Sequence, residues 1–245
     1  MNFLLIDIGN SRIKCSLSIN GKMSRFKSVL YNKRDFIKHF RSVLNYYQNK
    51  FTGIYISSLD KKYNSSIKGL RLKCNITFIS ADSILPLKID YEKTLGSDRI
   101  CSAVGAFMKY GNHKNILVID SGTAVTFNLI SAGIYKGGMI SAGLNTASDA
   151  LLFKTTLPKI VLNRNISIIN KSTKSSIISG LILQHVLFIE KAVELYRIMF
   201  KNLLVIMTGG GAEIIPNKIK GVDKIELTLV LEGLNYIALH NQNIK

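Results

Sequence analysis

Two aspartates in similar surroundings are the residues best suited to chemistry. Asp7 follows the apolar run Phe3–Ile6, and Asp120 follows the apolar run Ile116–Ile119. In each case a glycine stands two residues later, and alternating apolar and polar residues come next. An apolar run predicts a buried strand, and an alternating run predicts a half-exposed one. The pattern therefore predicts two hairpins, each of which can receive a phosphate group and hold a carboxylate that faces a hydrated metal ion.

The turn of the first hairpin is Gly9–Ser11, and glycine permits a backbone with positive φ there. We expect free N–H groups in this turn to receive a phosphate. The recurrence of the pattern favours two duplicated domains that face a nucleotide. The alternative is a pair of unrelated hairpins that share favoured turn residues.

A third chemical group is Gly96–Arg99, which precedes a helical pattern of apolar residues. Ser97 is the predicted N-cap, which puts Asp98 and Arg99 in the first turn. A carboxylate is stabilised there by the helix dipole, so Asp98 is explained equally well as a structural acid. The spacing of the apolar residues alone does not decide whether Asp98 is a structural acid or a residue with a chemical role.

A glycine-rich segment, Thr208–Gly211, separates the predicted strand Leu203–Met207 from a short helix. Such a turn lets the backbone approach a nucleotide closely, but any tight strand–helix corner needs the same residues.

The composition narrows the class of protein. The chain has 245 residues and a net charge of +18, with lysines scattered and not interleaved with aromatic residues. This distribution favours a solvated basic surface over a specific nucleic-acid site. The three cysteines have no metal-ligand spacing, no apolar stretch is uninterrupted enough to predict a membrane span, and no signal peptide is expected. The sequence therefore predicts a cytoplasmic protein without a specific nucleic-acid partner and without a membrane partner.

The elements that position these residues fall into two predicted domains, 1–114 and 115–245, with a hinge near Gly111–Asn115. In the first, three hairpin strands precede a helix–strand–helix–strand order, which predicts a mixed sheet with helices on its faces. The second restarts with the repeated strand–turn–strand. A long helix over Ile177–Phe200, apolar on more than one face, indicates burial against its own domain or a partner.

In this order the motifs resemble those of type III pantothenate kinase, in the actin-like and sugar-kinase ATPase superfamily. The matching segments recur over nearly the whole chain: Asp7–Lys14, Gly96–Arg99, Asp120–Thr126, Gly137-Gly138 and Thr208–Gly210. The resemblance implies an α/β fold of two duplicated actin-like (ribonuclease H-like) domains, each a mixed sheet flanked by helices, with the nucleotide in the cleft between them.

The resemblance also implies ATP-dependent phosphorylation of pantothenate, the first step of coenzyme A biosynthesis, by a homodimer. Asp98 would be the catalytic base, Asp7 would hold Mg²⁺ through water, and Asp120 would bind a monovalent cation (K⁺ or NH₄⁺). The implied ATP-binding residues are Asp7, Ile8, Gly9, Asn10, Ser11, Arg12, Ile13, Lys14 and Thr123. The implied substrate-binding residues are Tyr91, Gly96, Ser97, Asp98, Arg99 and, from the neighbouring subunit, Thr173.

Three positions depart from the family pattern. Asn128 stands where the family commonly has Asp, which removes a negative charge. Gly137–Gly143 has Ala142 in place of a proline, and the segment containing Tyr91 is shorter and lacks a proline.

Two other functions fit the same fold. One is a non-catalytic regulator, which the basic surface and Asn128 favour. The other is a kinase of sugars or polyphosphate. The presence of Asp7, Asp98, Arg99 and Asp120 together disfavours the regulator, and Gly96–Arg99 disfavours the sugar kinase.

Overall fold

The computed structural model describes residues 1–48, 50–58, 60–213 and 219–243. Its strands are β1 (Asn2–Ile8), β2 (Arg12–Ile19), β3 (Lys22–Met23), β4 (Lys27–Leu30), β5 (Gly53–Ser58), β6 (Asn75–Phe78), β7 (Lys88–Ile89), β8 (Asn115–Ser121), β9 (Ala124–Ser131), β10 (Ile134–Gly137), β11 (Ile140–Ala142), β12 (Leu203–Thr208) and β13 (Lys224–Ile225). Its α-helices are α1 (Phe36–Tyr47), α2 (Lys61–Lys68), α3 (Ser97–Tyr110), α4 (Leu144–Lys154), α5 (Thr173–Met199) and α6 (Leu229–Asn243).

The chain forms two compact units. The first comprises Met1–Gly111, Gly133–Lys136 and Thr228–Lys245, and the second comprises Asn112–Ala132 and Gly137–Leu227. These units differ from the expected division into 1–114 and 115–245, because α6 and part of β10 group with the first unit. The physical reason for α6 is its close packing on α3, which is described below.

The first unit is built on a mixed sheet in the order β3-β2-β1-β5-β6, with β4 also pairing with β2. β1 runs antiparallel to β2 and parallel to β5. The run Phe3–Ile6 is buried, as the sequence predicts, because β1 is the central strand. α1 covers the sheet with residues at helical intervals, Phe36, Phe40 and Val43, which join the same apolar core.

Helices α3 and α6 of the first unit meet at two glycines. A Cβ built on Gly233 would collide with the carbonyl oxygen of Cys101, and one built on Gly105 would collide with that of Leu229. Only glycine permits backbones to approach this closely. On the flank of the same pair, Lys109 forms an ion pair of 3.2 Å with Glu232.

The second unit has its own mixed sheet, in the order β13-β12-β8-β9, with β11 also pairing with β9. β8 and β9 are antiparallel, and β8 and β12 are parallel. The prediction of an α/β fold with mixed, helix-flanked sheets is therefore confirmed in both units.

Helix α5 is the longest of the described helices. Its apolar residues form two buried clusters, one with β8 and β9 around Ile189 and one with α4 around Ile182. Within the described residues, α5 is also long and apolar enough to cross a membrane, and 50% of its most apolar window is buried in the protein.

Short-range expectations differ from the structure at three points. Gly9–Ser11 contains no residue with positive φ, whereas Asn20 and Gly21 both have one, as a type I′ hairpin turn requires. The N-cap of α3 is Gly96 and not Ser97. The third point is the short strand β7, which the sequence patterns do not predict and which forms because β10 pairs with it.

Candidate functional site

The first half of the candidate site lies at the carboxyl ends of β1 and β5. Asp7 is at the end of β1, and its partner in the parallel register is Ser57. Opposite Asp7 on the other side, β2 presents Lys14. Because the carboxyl ends of parallel strands meet at one sheet edge, ligands bind there in many α/β proteins. The sheet therefore holds Asp7 between a hydroxyl group and a basic side chain.

The start of α3 is fastened to the same edge through Ser97. Its hydroxyl donates to the carbonyl oxygen of Ser58 at 3.0 Å and accepts from the Ser58 N–H at 2.9 Å. It also lies 3.2 Å from the hydroxyl of Ser57. These bonds explain why Ser97 is not the N-cap, since its side chain turns towards β5. Any contact with a substrate would have to use its backbone.

Asp98 is consequently close to Asp7. The thiol of Cys101, one turn further along α3, is fully buried and within electrostatic reach of both carboxylates. Burial, aided by the charges of Asp7 and Asp98, raises the pKa of the Cys101 thiol well above its ordinary value. The structure therefore brings together the two carboxylates that the resemblance assigns to Mg²⁺ and to catalysis.

The carboxylate of Asp98 has properties that suit a general base. Burial raises the pKa of its carboxyl above the ordinary value, although the N–H group and charge of Arg99 act in the opposite direction. The Arg99 N–H donates to Oδ1 of Asp98 at 2.8 Å, which fixes the orientation of the carboxylate. A carboxylate with a raised pKa accepts a proton more readily near neutral pH.

Arg99 lies beside Asp98 in the first turn of α3 and is largely buried. Its guanidinium lies over two tyrosine rings, with Cζ 5.4 Å from the centre of Tyr91 and 5.9 Å from that of Tyr135. The sequence pointed to Tyr91 but missed Tyr135. The only signal in the sequence is that Tyr135 follows the repeated strands. That position does not reveal a contact with Arg99, which lies 36 positions earlier in the chain.

The first hairpin differs from the expectation of free N–H groups. The Gly9 N–H donates to the carbonyl oxygen of Arg12 at 3.0 Å and closes the turn. Asn10 and Ser11 are exposed at its tip, whereas the side chains of Ile8 and Ile13 are buried in the core. The two isoleucines therefore have only their backbones to offer a nucleotide.

Tyr31 supports this hairpin and was not predicted from the sequence. Its hydroxyl donates to the carbonyl oxygen of Gly9 at 2.7 Å, and its N–H donates to that of Ser11 at 3.2 Å. The ring is packed edge-on against Phe36 and Tyr63. Burial raises the pKa of Tyr31, so the hydroxyl keeps its proton and remains a donor.

The second unit carries the repeated hairpin. Asp120 ends the central strand β8 in register with Thr126 and Thr208. The Gly122 N–H donates to the carbonyl oxygen of Ala124 at 2.9 Å, so this turn is closed in a similar way. Thr123 is exposed at the tip, and its carbonyl oxygen accepts from the Gly143 N–H at 2.9 Å.

Two glycines of Thr208–Gly211 pack directly on this strand end. Gly209 has φ of +90°, and a Cβ there would collide with Oδ1 of Asp120 and the carbonyl oxygen of Ser121. A Cβ on Gly211 would collide with the Ser121 hydroxyl. That hydroxyl also lies 3.3 Å from Nε2 of the buried His185. Close packing on Asp120 therefore explains these glycines without reference to a nucleotide.

Asn128 is satisfied inside the second sheet. Its amide donates to the Thr126 hydroxyl at 2.9 Å and to the carbonyl oxygen of Val118 at 3.4 Å. Thr126 is the cross-strand partner of Asp120. The neutral amide is thus accommodated beside the strand end that carries the second carboxylate.

Thr173, the remaining predicted residue, is exposed in the second unit. It is the first residue of α5, after the N-cap Ser172. Thr173 and Thr123 belong to the second unit, whereas Tyr91 and Gly96–Arg99 belong to the first.

Comparison with known proteins places these features in a family. A family model described as type III pantothenate kinase matches residues 3–195. A type III pantothenate kinase from Azobacteroides pseudotrichonymphae is 34% identical over 245 residues, which cover 98% of this chain and 97% of the relative.

Solved structures of low identity share the fold. A Campylobacter jejuni protein, described as a candidate Baf family transcriptional activator, aligns with a TM-score of 0.64 at 18% identity and covers 98% of this chain and 99% of its own. The ROK hexokinase of Thermus thermophilus aligns with a TM-score of 0.54 at 11% identity over 100% of both chains. The fold is therefore that of the actin-like and sugar-kinase ATPases, and the chain belongs to the type III pantothenate kinase family.

Proposed function

We propose that this chain transfers a phosphoryl group from ATP to the hydroxyl group of pantothenate, the first step of coenzyme A biosynthesis. The observation that carries the proposal is the attachment of the start of α3 to the strand end that holds Asp7. Ser57, the register partner of Asp7, lies 3.2 Å from the hydroxyl of Ser97, and Asp98 and Arg99 follow directly. Phosphoryl transfer needs charge neutralisation and in-line positioning more than covalent catalysis. Two carboxylates and one guanidinium supply a metal site, a base and an anion anchor.

Asp98 is the proposed catalytic base, and Arg99 the proposed anchor. The carboxylate takes the proton of the attacking hydroxyl, which makes the oxygen a better nucleophile. Arg99 binds the carboxylate of pantothenate with two parallel hydrogen bonds, which an ammonium group cannot reproduce. Gly96, Ser97 and Tyr91 complete the proposed pantothenate site.

The proposed ATP site uses both hairpins. The first hairpin would contribute side chains or exposed backbone from Asp7, Gly9–Arg12 and Lys14, and backbone alone from Ile8 and Ile13. The second hairpin would contribute Thr123. Lys14 lies opposite Asp7, so a metal ion and a basic side chain can share the charge of the phosphates.

The residues at Asp7 fit Mg²⁺ held mainly by water and phosphate oxygens. Among the described residues there is no group of three or more His, Cys, Asp or Glu side chains that could enclose a metal ion. Mg²⁺ typically keeps several waters and uses one or two carboxylates with substrate phosphates. When bound, it neutralises charge on the transferred group. Asp120 is the proposed ligand of K⁺ or NH₄⁺, and the adjacent Ser121 carbonyl oxygen makes this strand end suitable for a monovalent cation.

A direct assay tests the function. The purified protein, with ATP, Mg²⁺ and labelled pantothenate, should form labelled 4'-phosphopantothenate, and turnover should rise on addition of K⁺ or NH₄⁺. Parallel reactions with glucose and N-acetylmannosamine serve as controls. Phosphorylation of a sugar but not of pantothenate would contradict the proposed substrate.

We also propose a homodimer in which Thr173 of one subunit reaches the pantothenate of the other. The support is an exposed apolar face on α5, which includes Leu187, Leu195, Ile198 and Met199. A symmetric dimer would bury such a face against its copy. Light scattering at micromolar concentration should give twice the monomer mass of 27.3 kDa. A fully active monomer would contradict this arrangement.

The three cysteines are free thiols, which fits the reducing cytoplasm. We place the protein there, with pantothenate and ATP as its ligands and with no specific nucleic-acid or membrane partner.

A further inference from the structure

The guanidinium of Arg99 contacts aromatic rings that belong to two distant segments. Tyr91 is 43% exposed, whereas Tyr135 is fully buried, and the two rings meet edge-on with centres 5.8 Å apart. A cation within about 6 Å of a ring centre is attracted by the electrons of its face, and the attraction is stronger where water is excluded. The contact with Tyr135 is therefore the better shielded of the two.

The backbone around Tyr135 holds both rings in place. β10 pairs in parallel with β7, with Tyr135 in register with Ile89. The Asp90 N–H donates to the carbonyl oxygen of Tyr135 at 3.0 Å. On the outer side, Lys136 forms an ion pair of 2.8 Å with Asp90. These contacts fix Asp90, the residue that precedes Tyr91, relative to Tyr135 and Lys136.

A guanidinium is attracted to an aromatic ring through its charge, and it carries its N–H groups along its edges. Those edges make the paired hydrogen bonds with a carboxylate. A long side chain that must otherwise be ordered on binding loses rotamer freedom, and that loss weakens affinity. A guanidinium already held by Tyr135 avoids much of this cost.

We propose that Tyr135 is a positioning residue that sets the affinity of Arg99 for the carboxylate of pantothenate. The inference rests on the proposed function, because it assumes that Arg99 binds this carboxylate. Tyr135 acts through Arg99, so it should affect pantothenate binding and leave the phosphoryl-transfer step alone.

The test uses a series at position 135 in the full-length protein. Tyr135→Phe is the reference, since it keeps the ring and removes the hydroxyl. Replacement by 3,4,5-trifluorophenylalanine keeps the shape but withdraws electrons from the ring face, and Tyr135→Leu removes the ring. Each protein is assayed with pantothenate and with pantothenyl alcohol, in which CH₂OH replaces the carboxylate.

The KM for pantothenate should rise about threefold with the trifluorinated ring and roughly ten- to thirtyfold with Tyr135→Leu, relative to Tyr135→Phe. The kcat, the KM for ATP and the KM for pantothenyl alcohol should not change with fluorination. A KM for pantothenate that is independent of fluorination, or one that rises equally for the alcohol, would overturn the inference. The fluorinated protein tests the role of Tyr135 even if Tyr135→Leu fails to fold. Failure of the wild-type protein to phosphorylate either compound would instead contradict the proposed function, and the inference with it.

Discussion

Asp98→Asn is expected to lower kcat by about 10²- to 10⁴-fold, the usual cost of losing a general base. The amide has the same shape, and its oxygen can still accept from the Arg99 N–H, so the start of α3 should be unchanged. ATP binding, measured by calorimetry, should stay close to that of the wild type. A variant that retains kcat within about threefold of wild type would remove Asp98 from its proposed role.

The same substitution should not destabilise the protein. Burial raises the folded-state pKa of Asp98 above its unfolded value. Ionisation of this group therefore opposes folding as the pH rises from the unfolded-state pKa through the folded-state pKa. Removal of the charge should therefore leave the melting temperature at neutral pH unchanged or higher. The acidic limb of the wild-type kcat/KM profile should also lie above the pH at which an ordinary aspartate titrates. These measurements separate loss of the base from loss of structure.

Gly233→Ala is expected to destabilise the first unit strongly. The new methyl group would collide with the backbone of Cys101, and a backbone contact cannot be relieved by a change of rotamer. Overpacking of this kind costs on the order of 3 kcal/mol. In a chain of this length, that loss lowers the melting temperature by roughly 6–12 °C.

Gly180→Ala is the matched control for this prediction. Gly180 also lies within a helix, but nothing stands within 4 Å of an added Cβ in the described structure. Alanine favours helix more than glycine by up to about 1 kcal/mol, so this variant should melt at the same temperature or higher. Equal melting temperatures for the two variants would show that the contact between α3 and α6 is not as close as the structure places it.

These predictions divide between features that the sequence contains and features that only the fold creates. The strand that delivers Asp7 and the first-turn position of Asp98 follow from apolar runs and helical spacing, which are local properties. Gly105 and Gly233 look unfavourable in helices when each is considered alone. Their use appears only when α3 and α6, distant along the chain, are packed together.

Prediction of the candidate site from the sequence has the same limit. Asp98 and Arg99 could be identified from their motif, because adjacent residues keep their spacing in any fold. The support that Tyr31 gives to Gly9, and the contact of Tyr135 with Arg99, depend on pairings across strands that no local pattern encodes. The error at Ser97 has this origin too, because Ser58 competes successfully for the hydroxyl that the sequence assigned to a cap.

The first compact unit is assembled from three separate segments of the chain, and the last of them contains α6. During synthesis, the nascent chain would deliver β1, β5 and α3 to solvent long before α6 emerges from the ribosome. Until then, Gly105 and the face of α3 around it would lack their partner helix. The unit that holds Asp7, Asp98 and Arg99 can therefore reach its final packing only after the residues of α6 have left the exit tunnel. A stalled chain that ends after β12 should expose this face to chaperones and proteases, although every residue of the proposed pantothenate site would already have been made.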